Sequence, residues 1–244
     1  MQNFKLHVEK DYAAMSQKAA EIFAAAVTAS PAAAYGFATG STPIGMYENL
    51  VHMHKSGKVN LSGITAFNLD EYYPISPDDP QSYRYFMHQH LFGRLSLPAS
   101  NTHIPNGQAK DPIAECEAYE DKITQAGGIN MQVLGIGHNG HIGFNEPAEE
   151  LAALTGHTPL TQSTIDANSR NFASPEDVPR HALTMGIQSI MMARQIILLV
   201  SGKDKAEILK KALKGPITTY VPASLLQLHR NVIVVADRAA ASLQ

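Results

Sequence analysis

What most constrains the fold of this chain is an alternation along its whole length: short apolar runs rich in β-branched or aromatic residues, separated by longer stretches with helical spacing. Continuous apolar runs of that length are strands buried on both faces, and a helix-length crossover between successive strands is how a chain builds a parallel sheet. The runs are Lys5 to Val8, Ala33 to Ala38, Ile64 to Leu69, Met131 to Ile136, Ala182 to Met185, Gln195 to Ser201 and Val232 to Ala236. Between them, Asp11 is placed to cap a helix reaching about Ala29, where Ser30-Pro31 stops it, and Pro43 opens a second through His54, closed by Lys55-Ser56-Gly57. Further helices are expected over Ser82 to Phe92, Asp111 to Ala126, Gly186 to Arg194 and Asp204 to Leu213. The class is therefore α/β. With 244 residues, 44% of them hydrophobic, and no repeat or linker, one core and one domain over residues 1–244 are expected.

Charge narrows the partners. The 19 basic and 22 acidic residues are spread along the chain and leave a formal charge of −3, so no concentrated positive field is available for nucleic acid or an acidic membrane surface. Cys116 is the only cysteine, which excludes an internal disulfide and suits a reducing compartment. Met1 to Lys10 alternates apolar and charged residues, unlike a signal peptide, and no run approaches the ~20 apolar residues needed to span a bilayer. A cytoplasmic protein is expected.

Two stretches resist assignment to strand or helix: Asp70 to Gln81, with three prolines, and Glu146 to Asn171, with mixed polarity and no clear period. Both follow an apolar strand, and open α/β sheets place ligands at the carboxyl ends of their strands. Two further strand ends have the composition of anion sites. In Thr39-Gly40-Ser41-Thr42-Pro43, Gly40 permits close backbone approach, Ser41 and Thr42 offer hydroxyls and amides, and a helix N-terminus follows; a simple capped turn would read the same. The spacing and missing lysine exclude a Walker-type loop. In Ser201-Gly202-Lys203-Asp204-Lys205, Lys205 falls in a first helical turn, where a cation is unfavourable unless an anion is bound, although solvated lysines are common.

Phe67-Asn68-Leu69-Asp70-Glu71-Tyr72 carries two carboxylates off a strand end. Solvation would account for one of them, while Asp70, directly after Leu69, belongs at the ligand crevice. Gly135 to Pro147 contains G-x-G-x-x-G at Gly135, Gly137 and Gly140, but Gly143 and Pro147 oppose the helix that a dinucleotide site needs at its third glycine. His138 and His141 invite a metal reading, yet H-E-x-x-H is absent and no cysteine lies nearby. The reading that uses the residues best makes His141 a proton shuttle whose tautomer and protonation are set by Glu146.

These segments together resemble the signatures of the glucosamine-6-phosphate deaminases: Ala38 to Pro43, Phe67 to Tyr72 and Gly135 to Pro147, in the same order and spacing, with similarity continuing through Ala167-Asn168-Ser169-Arg170 and Leu225 to His229. The resemblance implies a Rossmann-like α/β fold, an open, mostly parallel sheet with helices on both faces. It implies conversion of D-glucosamine 6-phosphate and water to D-fructose 6-phosphate and ammonia, with a small-molecule sugar phosphate as partner and neither metal nor redox cofactor. On the family pattern His141 opens the pyranose ring, Asn139 and Glu146 orient and tune it, and Asp70 moves a proton from C2 to C1. Gly40, Ser41, Thr42, Arg170 and Lys205 match the phosphate-binding positions, and residues 147–168 a mobile lid.

The chain departs from the pattern twice. Many members carry aspartate where this chain has Asn139, which shifts the burden of stabilising an imidazolium onto Glu146. Activated, hexameric members carry basic residues after Pro147 that bind N-acetylglucosamine 6-phosphate, whereas Leu151 to Pro159 contains no Arg or Lys; activation by that ligand is not expected, and a homo-oligomer stays open. Two rival readings share the scaffold. A 6-phosphogluconolactonase would need no carbon base at Asp70. A non-catalytic sugar-phosphate sensor would be expected to carry a DNA-binding segment ahead of the first strand, which here begins almost at Met1, and to have lost part of the acid-base set.

Overall fold

The computed structural model describes residues 4–95, 97–169, 172 and 174–244, excepting the side chain of residue 167. In chain order its elements are β1 (Phe4–Glu9), α1 (Tyr12–Ala29), β2 (Ala34–Phe37), α2 (Ile44–Lys55), β3 (Thr65–Asn68), β4 (Asp70–Tyr73), α3 (Tyr83–Met87), α4 (Gly93–Leu95), β5 (Thr102–His103), α5 (Pro112–Gln125), β6 (Ile129–Leu134), β7 (Gly156–Pro159), α6 (Gln162–Ser169), β8 (His181–Thr184), α7 (Ile187–Met191), β9 (Gln195–Val200), α8 (Ala206–Lys214) and β10 (Val232–Asp237). Seven strands form one parallel sheet in the order β1-β10-β9-β6-β2-β3-β5.

Local sequence explains most of the boundaries. The Asp11 carboxylate accepts the Ala14 N–H at 2.8 Å and caps α1, whose buried residues Met15, Ala19, Phe23 and Val27 recur at helical spacing. Asp111 caps α5 in the same way, with Pro112 opening the first turn. Side chains alternate across the central strands. Tyr35, Phe37, Met131, Val133, Ile197 and Leu199 bury against α1 and α2, while Ala34, Leu134, Ile196, Leu198 and Val234 bury against α5, α7 and α8. Both faces are therefore covered, which is why these strands read as unbroken apolar runs. Each large side chain so buried contributes about 1.5–3 kcal/mol, and Tyr35, Phe37 and Phe67 are wholly inaccessible.

Strands β4, β5, β7 and β8 and helix α6 depart from the sequence reading. Asp70 to Gln81 begins as β4, and Glu146 to Asn171 contains β7 and α6. The run Ala182 to Met185 is a strand, but β8 belongs to a separate antiparallel sheet in the order β4-β8-β7, with Asp70 opposite Thr184 and His157 opposite Leu183. An apolar run does not state which sheet it joins. Here the Met185 N–H donates to Leu69 O at 2.9 Å, which continues β8 pairing past β4 to the residue that links β4 to β3. The β7 sequence Gly-His-Thr-Pro has no strand pattern and is extended through its pairing with β8. Tyr72, Phe144, Leu160, Ile165, Val178 and Ala182 form a third, small apolar cluster beneath α6. The helix expected over Ser82 to Phe92 is α3, continued through a π turn at His88–Phe92 into α4.

Topology locates the ligand crevice. After β2 the chain steps outward to β3 and β5; it then returns to place β6 on the other side of β2 and steps through β9 and β10 in the opposite direction. The loops leaving β2 and β6 therefore diverge, opening a gap at the carboxyl edge between two hydrogen-bonded strands.

Candidate active site

Four neighbouring strands, β9, β6, β2 and β3, deliver the described candidate residues to that edge. Gly40, Ser41 and Thr42 follow β2, Asp70 lies two residues beyond β3 at the start of β4, Asn139, His141 and Glu146 follow β6, and Lys205 follows β9. Arg170 lies outside the described residues.

The β2 loop is held open from behind. Tyr47 from α2 donates its hydroxyl to Ala38 O at 2.5 Å and accepts the Ala38 N–H at 3.2 Å. Tyr12 from α1 donates to Ser41 O at 3.1 Å and accepts the Gly45 N–H at 2.9 Å. Gly40 has φ +99°, a conformation that disfavours any side chain, and a Cβ there would meet only open space, so it is the backbone shape that calls for glycine. The result is an exposed loop with fixed amides at the N-terminus of α2. The loop after β9 is held by Asp237, which accepts the Ser201 hydroxyl at 2.5 Å and the Gly202 N–H at 3.1 Å. Lys205 donates to Ile136 O at 3.0 Å, bridging the β9 and β6 loops. Burial lowers its pKa, with Asp204 opposing, so its charge is under-solvated and suited to receive an anion.

No helix opens at Gly140. The segment folds back on itself, with the Gly140 N–H donating to Gly137 O at 3.0 Å and the Gly137 N–H to His141 O at 2.9 Å. A Cβ on Gly137 would stand 2.3 Å from the His141 ring, so this glycine makes room for the imidazole. The two histidines diverge. His138 meets Asp204 at 2.9 Å near the surface, whereas the His141 ring is 26% exposed, with Nδ1 3.4 Å from Glu146 Oε2, a Coulombic contact just outside hydrogen-bond geometry. Asn139 donates to the same Glu146 oxygen at 2.7 Å and accepts the His141 backbone N–H at 3.2 Å, so it ties the carboxylate to the main chain that carries the imidazole without being a charge itself. Thr164 of α6 donates to Glu146 Oε1. Burial works against ionisation of Glu146, but His141, Thr164 and Asn139 outweigh it and bring the carboxyl down to about 2. Among the described residues no three His, Cys, Asp or Glu side chains converge on a point that could hold a metal.

Asp70 is in the opposite state. It is 5% exposed, its Oδ1 has no hydrogen-bond partner, and burial, reinforced by the charge of Glu71, raises its carboxyl well above the usual range. Tyr47, Tyr72, Tyr83 and Tyr119 surround it; burial first, and the Asp70 charge as well, raise their hydroxyls. Glu71 is not solvated, as a strand-end carboxylate commonly is, but buried. It accepts the N–H groups of Tyr72, Tyr83 and Arg84 at 2.8–2.9 Å and so anchors the start of α3; burial raises it to about 7 while those donors act the other way. Sequence reasoning missed Glu71 as an anchor, Tyr12 and Asp237 as braces, and Thr164 as a partner of Glu146. None of the four carries a local signal for that role, because the groups involved, Tyr83 for Glu71, Ser41 for Tyr12, Ser201 for Asp237 and Glu146 for Thr164, lie 12 or more positions away.

The arrangement therefore offers a proton-hungry buried carboxylate, a half-buried imidazole paired with a firmly ionised one, and two loops suited to an oxyanion. Comparison with known proteins is consistent with it. The profile of the family described as glucosamine-6-phosphate isomerases/6-phosphogluconolactonase matches residues 9–235. A glucosamine-6-phosphate deaminase of Thermoanaerobacter sp. (strain X514) is 51% identical over 239 residues, 98% of this chain and 94% of that one. One from Clostridium perfringens (strain 13 / Type A) is 48% identical, covering 98% and 99%. A solved structure described as a monomeric glucosamine-6-phosphate deaminase superposes with a TM-score of 0.95 at 44% identity, covering 98% of this chain and all of that one. A 6-phosphogluconolactonase from Trypanosoma cruzi reaches 0.77 at 20% identity over 98% and 96%, a likeness of fold alone. On the match over residues 9–235 and these identities, the chain belongs to the glucosamine-6-phosphate isomerase/6-phosphogluconolactonase family.

Proposed function

We propose that this chain is an isomerising deaminase of amino-sugar catabolism, converting D-glucosamine 6-phosphate and water to D-fructose 6-phosphate and ammonia. The observation that carries the reading is the raised, unpartnered carboxyl of Asp70 beside a separately ionised Glu146. Carbon acids need a base of high proton affinity, and one buried beside aromatic rings supplies it. A lactone hydrolase needs no such base.

The roles follow from the geometry. Gly40, Ser41, Thr42 and Lys205, with Arg170, hold the 6-phosphate, and that remote anchoring positions C1 and C2. His141, with Glu146 and Asn139 behind it, moves the proton between the ring oxygen and the C1 hydroxyl, opening the pyranose to an aldehyde. Asp70 removes the C2 proton to give an enolamine and returns it to C1, which leaves an imine at C2; water adds there and ammonia departs. Within residues 147–168, the section from Leu151 to Pro159 is fastened to the body by Ile187 N–H to Ala152 O at 2.9 Å and by β7 pairing, so we assign the covering motion to α6, which closes over the open-chain sugar. No helix among the described residues is long and apolar enough to cross a membrane.

Purified protein is expected to release ammonia and fructose 6-phosphate in equal amounts from glucosamine 6-phosphate, with Asp70→Asn slowing turnover by about 10²–10⁴-fold. Failure of the intact protein to turn over would overturn the reaction. Undiminished activity in the variant would keep the reaction and remove Asp70 as its base.

A further inference from the structure

We propose that Thr164 is a positioning residue whose hydroxyl, by binding Glu146, makes the docking of α6 the event that orients the Glu146–His141 pair. The inference rests on the acid-base reading above and adds to it a coupling between cover and catalytic pair.

Three observations carry it. First, among the described residues α6 has little else to hold it. Thr164 and Ile165 are its buried side chains among those described, at 5% and 4% exposure, and Ile165 joins the small cluster with Tyr72, Phe144 and Val178. A hydroxyl donated to a carboxylate is therefore a large share of what docks this helix. Second, Thr164 is not spending its hydroxyl on its own helix. A threonine inside a helix commonly bonds the carbonyl one turn back, and the start of α6 is already served by Thr161, whose carbonyl and hydroxyl accept the Thr164 N–H at 3.1 and 3.3 Å. The Thr164 hydroxyl instead reaches a residue 18 positions away.

Third, the bond completes the restraint on Glu146. Oε2 accepts from Asn139 and faces His141 Nδ1, and Oε1 accepts from Thr164. With both oxygens engaged, the carboxylate cannot turn without breaking a bond, and the edge it presents to His141 is set. Undock α6 and Oε1 loses its donor, the carboxylate is free to rotate, and its hold on the imidazole weakens. Coupling of this kind is reciprocal, so the ionised Glu146 also holds α6 down. The cover thus closes most firmly when the pair is ready for ring opening. Among the described residues the charged or titratable group facing Glu146 is His141, and its other partners, Asn139 and Thr164, are neutral.

The test is the kcat–pH profile of Thr164→Val and Thr164→Ser with glucosamine 6-phosphate. Val, which keeps the shape and loses the hydroxyl, should lower kcat about tenfold or more, as loss of a hydrogen bond to a charge implies, and move the acidic limb of the profile upward. Ser should restore both. In a Glu146→Ala background, adding Thr164→Val should change residual kcat less than about twofold, since the route through Glu146 is already gone. An unshifted profile with parental kcat in Thr164→Val, or additive losses in the double variant, overturns the proposal. Hydrogen exchange decides the matter even if Thr164→Val does not fold. Glu146→Ala should lose protection across Gln162–Ser169 with α1 unchanged, and equal protection overturns the coupling. That measurement needs no turnover, so it stands apart from the fate of the deaminase reading itself.

Discussion

At Asp70 and Glu71 two carboxylates leave β4 in succession, and strand geometry sends their side chains to opposite faces. Glu71 turns towards the N-terminus of α3 and takes three backbone N–H groups. Asp70 turns inward and keeps an oxygen without a partner. The folded chain therefore holds the Asp70 proton more tightly than the unfolded chain, whose carboxyl titrates near 3.8. A raised carboxyl contributes stability that is fully present below that unfolded value and is lost as pH rises through the folded one. Asp70→Asn removes the loss. It is expected to melt higher than the parent at about pH 8, by about 2–4 °C for each kcal/mol relieved, with the two curves converging near pH 4; calorimetry that finds the variant less stable at pH 8 would contradict the assigned state. Glu146 has the opposite sign: its stabilisation is present above the unfolded value of 4.5 and is lost as pH falls towards about 2. The sequence shows both carboxylates and their strand end, but not which would be capped, because the capping amides lie 12 and 13 positions on.

Among the elements, those with a strong local pattern agree with the sequence reading to within a residue or two: α1 with its Asp11 cap, α5 behind Asp111-Pro112, and the buried strands of the parallel sheet. β4, β5, β7 and α6 lacked such a pattern, and each takes its form from a neighbour distant in the chain. The loop after β2 belongs to both groups. Its glycine and hydroxyls have the composition expected of an anion site, but its shape is set by two tyrosines from flanking helices. Removing the Tyr12 hydroxyl leaves Ser41 O and Gly45 N–H without that brace. Tyr12→Phe is expected to raise KM for glucosamine 6-phosphate by about 2–10-fold, the equivalent of a hydrogen bond of 0.5–1.5 kcal/mol, with kcat nearly unchanged. Steady-state kinetics showing the reverse split would place Tyr12 in the chemistry instead of the phosphate loop.

For the molecule as a whole, the reversal of strand order between β2 and β6 brings four loops to one edge, and a second, antiparallel sheet fastens the segment that precedes α6. Thr155 N–H binds Glu120 at 2.7 Å, so Leu151 to Pro159 is engaged with its own body and carries no arginine or lysine for a second phosphate. Hyperbolic kinetics unchanged by N-acetylglucosamine 6-phosphate are expected; a sigmoidal dependence relieved by that ligand would refute this. By itself the sequence determined the α/β class, the order of its strands and main helices, and the loops proposed to carry the chemistry, because burial on two faces, helix caps and loop composition are written within a few adjacent residues. Only the tertiary structure decided that β8 leaves the parallel sheet, that Asp70 is raised while Glu146 is held low, and that Thr164 reaches Glu146. Each of those depends on which distant groups share a buried space, since proton affinity and hydrogen bonding are set by the surroundings a side chain meets in the folded chain.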